Sequence, residues 1–241
     1  MEVHHHSHKP KNWKEYITEF IMLFAAVTLG FFAENQREHM IENHRAEQYM
    51  QSLLEDLKKD TAFFNMLEEY DQNQVYKIDT STNLLINNVW NDSTIKLLYA
   101  VNLKTLGNFP LNINERAASQ LKNAGGMRLI QNQDLSNKIA AYWEAAETIK
   151  NTGLAVEDYK IRARDKSYSI FDHRFYQNVT TASVKSNVKL MTTDPIVLTE
   201  YSNRLNHIRN SLANVRLPQL RNLHKTADEL IADLNKEYDF K

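Results

Sequence analysis

The chain has 241 residues, of which only five are glycine and four are proline. Average usage would give roughly 12% glycine plus proline, and folds rich in β-strands need these residues at their turns. The scarcity argues against a β-sandwich or barrel. The usual phosphate-binding glycine loops are excluded, because neither G-x-x-x-x-G-K-[ST] nor G-x-G-x-x-G occurs. We expect an all-α protein.

The chain is almost neutral, with 29 lysine and arginine residues against 30 aspartate and glutamate residues. Nucleic-acid binders carry a basic surplus, so we expect no nucleic-acid partner. There is no cysteine, which excludes disulfides, thiolate nucleophiles, zinc ribbons and iron–sulfur clusters. The lack of cysteine limits the chemistry but does not decide the compartment.

The chain begins with a His-rich segment, residues 1–12. Neutral imidazoles bind zinc, nickel or copper, but no carboxylate or helix cap fixes this terminal segment. We interpret it as a flexible, solvated tail and assign it no metal site. Its histidines are His4, His5, His6 and His8.

An uncharged apolar run of 14 residues, 20–33, follows the tail. Alone it covers roughly 21 Å at 1.5 Å per residue, whereas the bilayer core is about 30 Å thick. The aromatic residues before it, Trp13 and Tyr16, are typical of a membrane interface and extend the segment. We predict a membrane anchor over residues 13–34. Its lipid-contacting side chains are Trp13, Tyr16, Phe20, Leu23, Phe24, Val27, Leu29, Phe31 and Phe32.

Two alternatives to an anchor remain open. A signal peptide has a similar basic start and apolar core, but it ends in small residues at the cleavage site, and here Ala33 follows Phe31 and Phe32. The other alternative is a buried core helix of a soluble protein.

The basic residues near the two ends of the anchor predict its orientation. Lys9, Lys11 and Lys14 precede it, and Arg37 and Arg45 follow it. The margin of three to two favours a cytoplasmic N-terminus. In a bacterium, the distal domain would then lie in the periplasm and the anchor in the inner membrane.

Residues 4–60 resemble a family of bacterial single-pass membrane proteins that has no assigned function. The resemblance rests on the His-rich start, on the block KEYITEFIMLFAAVTLGFFAEN that ends at Asn35, and on SLLEDLKKDT ending at Thr61. A weaker part is QLKNAGGMRLIQNQDL, residues 120–135. The resemblance implies a single span and a helical extracytoplasmic domain, and it implies no activity.

No glycine or proline occurs between Gly30 and Gly107, so we predict that the anchor continues into a stalk helix over residues 35–74. An apolar stripe of about three heptads and a small-residue face in the anchor predict self-association through a coiled coil. The alternative is that the stripe packs on later helices of the same chain. The residues concerned are Ala26, Gly30, Ala33, Met50, Leu53, Leu57, Phe64 and Leu67.

We expect residues 75–241 to form a helical bundle with one irregular insertion. The first predicted helices span 75–90 and 93–104, after a turn near Asn73, and a loop covers 105–114. Asn114 resembles an N-cap for a helix that stops at Gly125-Gly126.

The second half of the bundle begins with a helix predicted from Asn132 or Asp134 to near Arg164. An irregular stretch or short hairpin is expected over 167–193. Asp194-Pro195 is a good helix start, and Pro218 should break or kink the helix before a final one over 219–238.

No set of polar residues predicts catalysis. Glu38, His39 and Glu42 have the spacing of half of a carboxylate metal site, but i,i+3 and i,i+4 ion pairs explain this segment better. Scattered histidines such as His173 and His207 lack a nucleophile elbow or an oxyanion-type turn. We therefore assign no catalytic, metal or cofactor residues.

The function expected is that of a non-enzymatic membrane protein, acting by protein–protein contact as a scaffold, accessory subunit or assembly factor. A sensory or ligand-binding domain is the second hypothesis, since helical bundles bind small molecules between helices; a deep pocket near Trp143 would favour it. A metal-dependent enzyme using the residues after the anchor is the third.

Overall fold

The structure of the protein, a computed structural model, describes residues 12–87, 90–123, 125–178 and 183–240. It confirms the prediction of an all-α fold, and the His-rich residues His4 to His8 lie outside the described residues. Within the described ranges there are six α-helices: α1 Trp13–Asn87, α2 Asp92–Thr105, α3 Arg116–Asn123, α4 Gln133–Ser167, α5 Pro195–Ser211 and α6 Leu217–Tyr238. Short 3₁₀ turns cover Gly126–Leu129 and His173–Phe175, and a π-helical turn covers Leu212–Arg216.

The chain divides into two compact units, Met1–Gln48 and Tyr49–Lys241, and α1 contributes to both. We call them the N-terminal unit and the distal unit. The distal unit therefore begins 26 residues before the expected boundary at residue 75. The physical reason is that α1 already buries side chains at Met50, Leu53 and Leu57, so residues 49–74 are part of the bundle and not a free stalk.

The turn expected near Asn73 is wrong. Helix α1 continues through this position to Asn87, because its buried face is uninterrupted: Asp71, Gln74 and Ile78 are all buried at the helical spacing of three and four residues. Two of these three are polar, which hid the continuity from a search for apolar residues.

Other predicted helix boundaries are confirmed, together with their local causes. The Asn91 side chain caps α2 through a reciprocal capping box with Thr94. The Asn132 side chain accepts a hydrogen bond from the Leu135 N–H at the start of α4. Asp194 accepts one from the Ile196 N–H at the start of α5, with Pro195 at the first helical position.

The N-cap expected at Asn114 is wrong, since α3 begins at Arg116. The Asp56 carboxylate of α1 accepts the Ala117 N–H at 2.9 Å instead. Asn114 donates its backbone and side-chain N–H groups to Asp60, at 2.8 and 2.7 Å. The first turn of the short helix α3 is thus capped by a carboxylate of the long helix α1 that is distant in sequence.

Two clusters of buried apolar side chains fill the distal unit. The first core joins the part of α1 up to Leu67 with α3, the start of α4 and α6; it includes Phe64, Leu121, Ile139, Tyr142 and Leu223. The second core joins the rest of α1 with α2, the end of α4 and α5; it includes Ile78, Leu98, Tyr99, Tyr201 and Ile208.

The irregular insertion is confirmed as a short hairpin, β1 Tyr176–Asn178 antiparallel to β2 Ser183–Val184. Tyr99 of α2 connects the chain on both sides of this hairpin to the second core. Its hydroxyl donates to the Lys189 carbonyl and accepts the Asp172 N–H, each at 2.8 Å. Its ring contacts Phe171 edge-on at 5.0 Å.

The break expected at Pro218 does not occur, since the chain stays helical from Pro195 to Tyr238, but the helix type changes just before the proline. The π-helical turn Leu212–Arg216 separates α5 from α6, and the Leu217 N–H donates to the Leu212 carbonyl five residues back. Pro218 has no N–H to donate to a preceding carbonyl, which accounts for the wider turn just before it.

We predict that Asp56→Ala lowers the free energy of unfolding by about 1–3 kcal/mol, because it leaves the buried Ala117 N–H without an acceptor. Glu55→Ala is the matched control. Glu55 makes an exposed ion pair with Arg116 at 2.8 Å, and such solvent-screened pairs contribute little to stability. Urea unfolding of the full chain in detergent would measure both, and equal losses would contradict this account of the cap.

Candidate functional site

Over its described residues, the N-terminal unit contains an apolar helical segment whose side chains are exposed. Every residue from 12 to 41 is exposed or nearly so. The nine side chains assigned to lipid contact are 52–78% exposed. An 18-residue stretch of this helix is long and apolar enough to cross a membrane, and none of it is buried.

The small-residue face and the stripe assigned to self-association have different surroundings. Ala26, Gly30 and Ala33 are exposed, and no neighbouring atom lies within 4 Å of a Cβ built at Gly30. The stripe, in contrast, is part of the first core of the same chain and has no surface to offer a second copy. Its members are Met50, Leu53, Leu57, Phe64 and Leu67. The alternative of packing within the chain therefore describes the stripe.

The charged residues after the apolar segment pair along the helix. Glu34 and Arg37 form an ion pair at 2.5 Å. His44 lies 4.0 Å from Glu47. Within the described ranges no three histidine or acidic side chains are grouped as a metal site requires.

A groove lies beside Trp143 in the distal unit, between α3 with its preceding loop and α4. Its volume is about 700 Å³, within the range of small-molecule sites. Apolar side chains from both walls include Leu111, Ile113, Met127 and Trp143.

The rim of this groove is charged. Lys122 places its ammonium 4.7 Å from the centre of a Trp143 ring, close enough for a cation–π interaction. Lys150 lies 3.6 Å from Glu147. Glu115 and Glu144 complete the charged lining. An apolar floor with a rim of both signs suits an amphipathic ligand or peptide.

The most unusual group of side chains lies deeper in the bundle, at the level where the two cores meet. We call it the polar layer: Asp71 and Gln74 of α1, Glu157, Lys160 and Arg164 of α4, and Arg216 of the π-helical turn. Asp71 and Lys160 are 0% exposed and Arg216 is 1% exposed. The Arg216 Nη1 donates to Asp71 Oδ1 at 3.0 Å.

The donors of the polar layer converge on one backbone segment, the end of α2 and the loop after it. Gln74 donates to the Lys104 carbonyl at 3.1 Å and Lys160 to that of Gly107 at 2.5 Å. Arg164 donates to the Leu106 carbonyl and Arg216 to that of Phe109, at 2.6 and 2.8 Å. Carbonyls at a helix C-terminus lack partners within the helix and carry partial negative charge, which is why cations suit this position.

Burial disfavours the charged forms in this layer. It raises the pKa of the Asp71 carboxyl to about 6, despite the attraction of Arg216 and Lys160. It also lowers the pKa of the Lys160 ammonium to about 8, helped by the nearby Arg216 charge. Among the described residues, the buried side-chain atoms without a hydrogen-bond partner are Asp71 Oδ2, Gln74 Oε1, Glu157 Oε2 and Arg216 Nε, all in this layer.

Sequence reasoning missed the polar layer. A signal was present in α1, where Asp71 and Gln74 occupy the same helical face as Leu67 and Ile78. The other donors lie 85 or more residues away from Asp71, and nothing local in the sequence pairs them with it.

Comparison with protein-family models, with curated proteins and with solved structures found no match for this chain.

Proposed function

We propose that this is a non-enzymatic, membrane-anchored protein that acts through protein–protein contact, as a scaffold, accessory subunit or assembly factor. One observation carries the proposal: an apolar helical segment with no packing partner precedes a unit that has hydrophobic cores of its own. The segment is the anchor, and the distal unit is the part that meets other proteins.

The absence of burial favours a span over a core helix. A core helix removes its apolar face from water, at roughly 25 cal/mol for each Å² buried. Residues 13–34 bury none of their large apolar side chains, so hydrocarbon is the environment that suits them. Trp13 and Tyr16 lie at the end of the segment, where amphipathic rings favour the lipid–water interface.

The basic flanks favour a cytoplasmic N-terminus. Lys9, Lys11 and Lys14 lie at the N-terminal end of the segment, and Arg37 and Arg45 follow it, a margin of three to two. We therefore place the anchor in the inner membrane of a bacterium and the distal unit in the periplasm.

The disposition of the ionisable groups supports a role without catalysis. The Asp71 and Lys160 side chains, whose pKa values are displaced, are fully buried and bind other parts of the chain. They are not placed to meet a substrate, as catalytic acids and bases must be.

A double substitution, Phe24→Arg with Val27→Arg, tests the anchor. Each arginine at the centre of a span costs about 2.5–3.5 kcal/mol, so the variant should leave the membrane fraction. A reporter active only outside the cytoplasm, fused after Lys241, should be active in the wild type and inactive in the variant. Gln51→Arg, on an exposed part of the distal unit, should behave as the wild type. An inactive but membrane-bound wild-type fusion would contradict the orientation.

The exposed small-residue face Ala26, Gly30 and Ala33 supports self-association within the membrane, since small residues let helices approach closely. We predict that the full chain, purified in mild detergent, contains a second copy or a stoichiometric partner by light scattering and mass spectrometry. Ala26→Leu with Gly30→Leu should remove the second copy, and Val27→Leu should not. A monomeric wild type without a partner would contradict the proposal.

The groove beside Trp143 favours a second candidate function, the binding of a small amphipathic ligand. Native mass spectrometry of the full chain purified from its own membranes should then show a bound molecule. Ala140→Trp should abolish the binding, because this exposed residue lines the groove and the new ring would fill part of it. Exposed Ala155 on the same helix lies outside the groove lining, so Ala155→Trp is the matched control. A wild-type protein without a bound molecule would count against this function.

A further inference from the structure

The two cores of the distal unit are separated by the polar layer. Along α1, Leu67 belongs to the first core and Ile78 to the second, and Asp71 and Gln74 lie between them. The same order occurs where α5 leads into α6: Leu212 is in the second core, Leu220 is in the first, and Arg216 lies between them. The interior of the bundle is thus polar at this cross-section, and the polar layer interrupts what would otherwise be one continuous apolar core.

This cross-section carries a desolvation cost that the apolar levels of the bundle do not. Charges taken out of water lose several kcal/mol of solvation each, and only excellent pairing repays that loss. Here Asp71 uses one carboxylate oxygen for Arg216 and leaves the other unpartnered, and Arg216 Nε is also unpartnered. By contrast, apolar side chains fill the levels above and below.

One helical segment at the same level is adapted to bending, whereas α1 and α4 run through the level unbroken. The π-helical turn Leu212–Arg216 carries the layer's arginine, and Pro218 follows within two residues. Sharp bends in helices occur at π turns and at proline. The loop after α2 contains Gly107, where a Cβ would lie 3.1 Å from the Tyr70 hydroxyl, so a larger residue here would require the Tyr70 side chain to shift by a few tenths of an ångström.

We propose that the polar layer is a hinge at which the two cores of the distal unit move relative to each other, and that uptake of a proton by Asp71 locks the hinge. Opening would admit water to the layer and release the end of α2 and residues 106–109 from their donors. This inference goes beyond the proposed function and does not depend on it.

The direction of the pH dependence follows from the groups that face Asp71. These are Arg216 from the π-helical turn and Lys160 from α4, with Glu157 and Arg164 beside Lys160 and Tyr70 adjacent on α1. The pKa of Asp71 is about 6 in the closed layer and would return towards 3.8 in water. A proton therefore binds the closed form better, and acid favours closure.

Lys160 makes the opening constant, the equilibrium ratio of the open to the closed layer, depend on pH at the alkaline end as well. Its pKa is about 8 in the closed layer against an ordinary value of 10.5, so loss of its proton also favours closure. The opening constant should be largest between about pH 6 and 8. From these pKa values we expect the opening constant to be about tenfold lower at pH 5 than at pH 7, and about tenfold lower at pH 9 than at pH 7.

Hydrogen exchange of the full chain in detergent micelles tests the hinge. Amides of residues 98–106 and 213–217 would be followed at pH 5, 7 and 9, with each rate corrected for the intrinsic pH dependence of exchange. The wild type should show the maximum near pH 7. Asp71→Asn keeps an acceptor for Arg216 without the buried charge, so its opening should be low and unchanged between pH 5 and 7.

Three further variants distinguish the hinge from other causes. Asp158→Asn removes an exposed ion pair of α4 with Arg162 and should keep the wild-type profile. His207→Gln with His224→Gln should keep it too, which excludes these two histidines as the source of the profile. Lys160→Gln should lose the alkaline limb alone.

A wild-type opening constant that is the same at all three pH values would overturn the proposal, and so would a pH 5–7 dependence that persists in Asp71→Asn. If Asp71→Asn does not fold, the wild-type profile and the Lys160→Gln profile still decide the matter.

Discussion

The capture of the backbone after α2 by buried donors is the interaction on which the distal unit depends. Lys160 and Arg216 carry positive charge into the bundle and donate hydrogen bonds to the carbonyl oxygens of Gly107 and Phe109, in the loop after α2. Asp71 is the buried counter-charge for Arg216. Without these contacts the loop between α2 and α3 would have unpaired carbonyls facing an apolar interior, where each would cost free energy.

This arrangement explains why the distal unit has two cores and not one. A layer of charges must be kept together and away from apolar side chains, so the buried residues of α1 and α4 divide into a group on each side of it. Asp56 and Asp60 repeat the principle on a smaller scale within the first core, where they bind the start of α3 and Tyr142. In both places a long helix supplies the polar partner that a short element lacks.

The N-terminal unit depends on a different constraint. Its described residues bury none of the large apolar side chains of residues 13–34, so under the proposed function its stability comes from a lipid environment. Hydrocarbon also requires every backbone polar group to be bonded internally, which a continuous helix achieves. The same helix, α1, continues into the distal unit, where it buries a face of both apolar and polar side chains. Its backbone is helical throughout, although the surroundings of its side chains change along its length.

The sequence by itself determined the all-α class, the apolar segment and most helix ends, because helix periodicity, breakers and caps are local. Asn91, Asn132 and Asp194 each act on residues two or three positions away. Only the tertiary structure decided that Asp56 and not Asn114 caps α3, that Met50 to Leu67 pack within the chain, and that Asp71 meets Arg216 across 145 residues. Those contacts depend on which helix faces lie against each other, and that is fixed by the summed packing of the whole bundle, which no local pattern encodes.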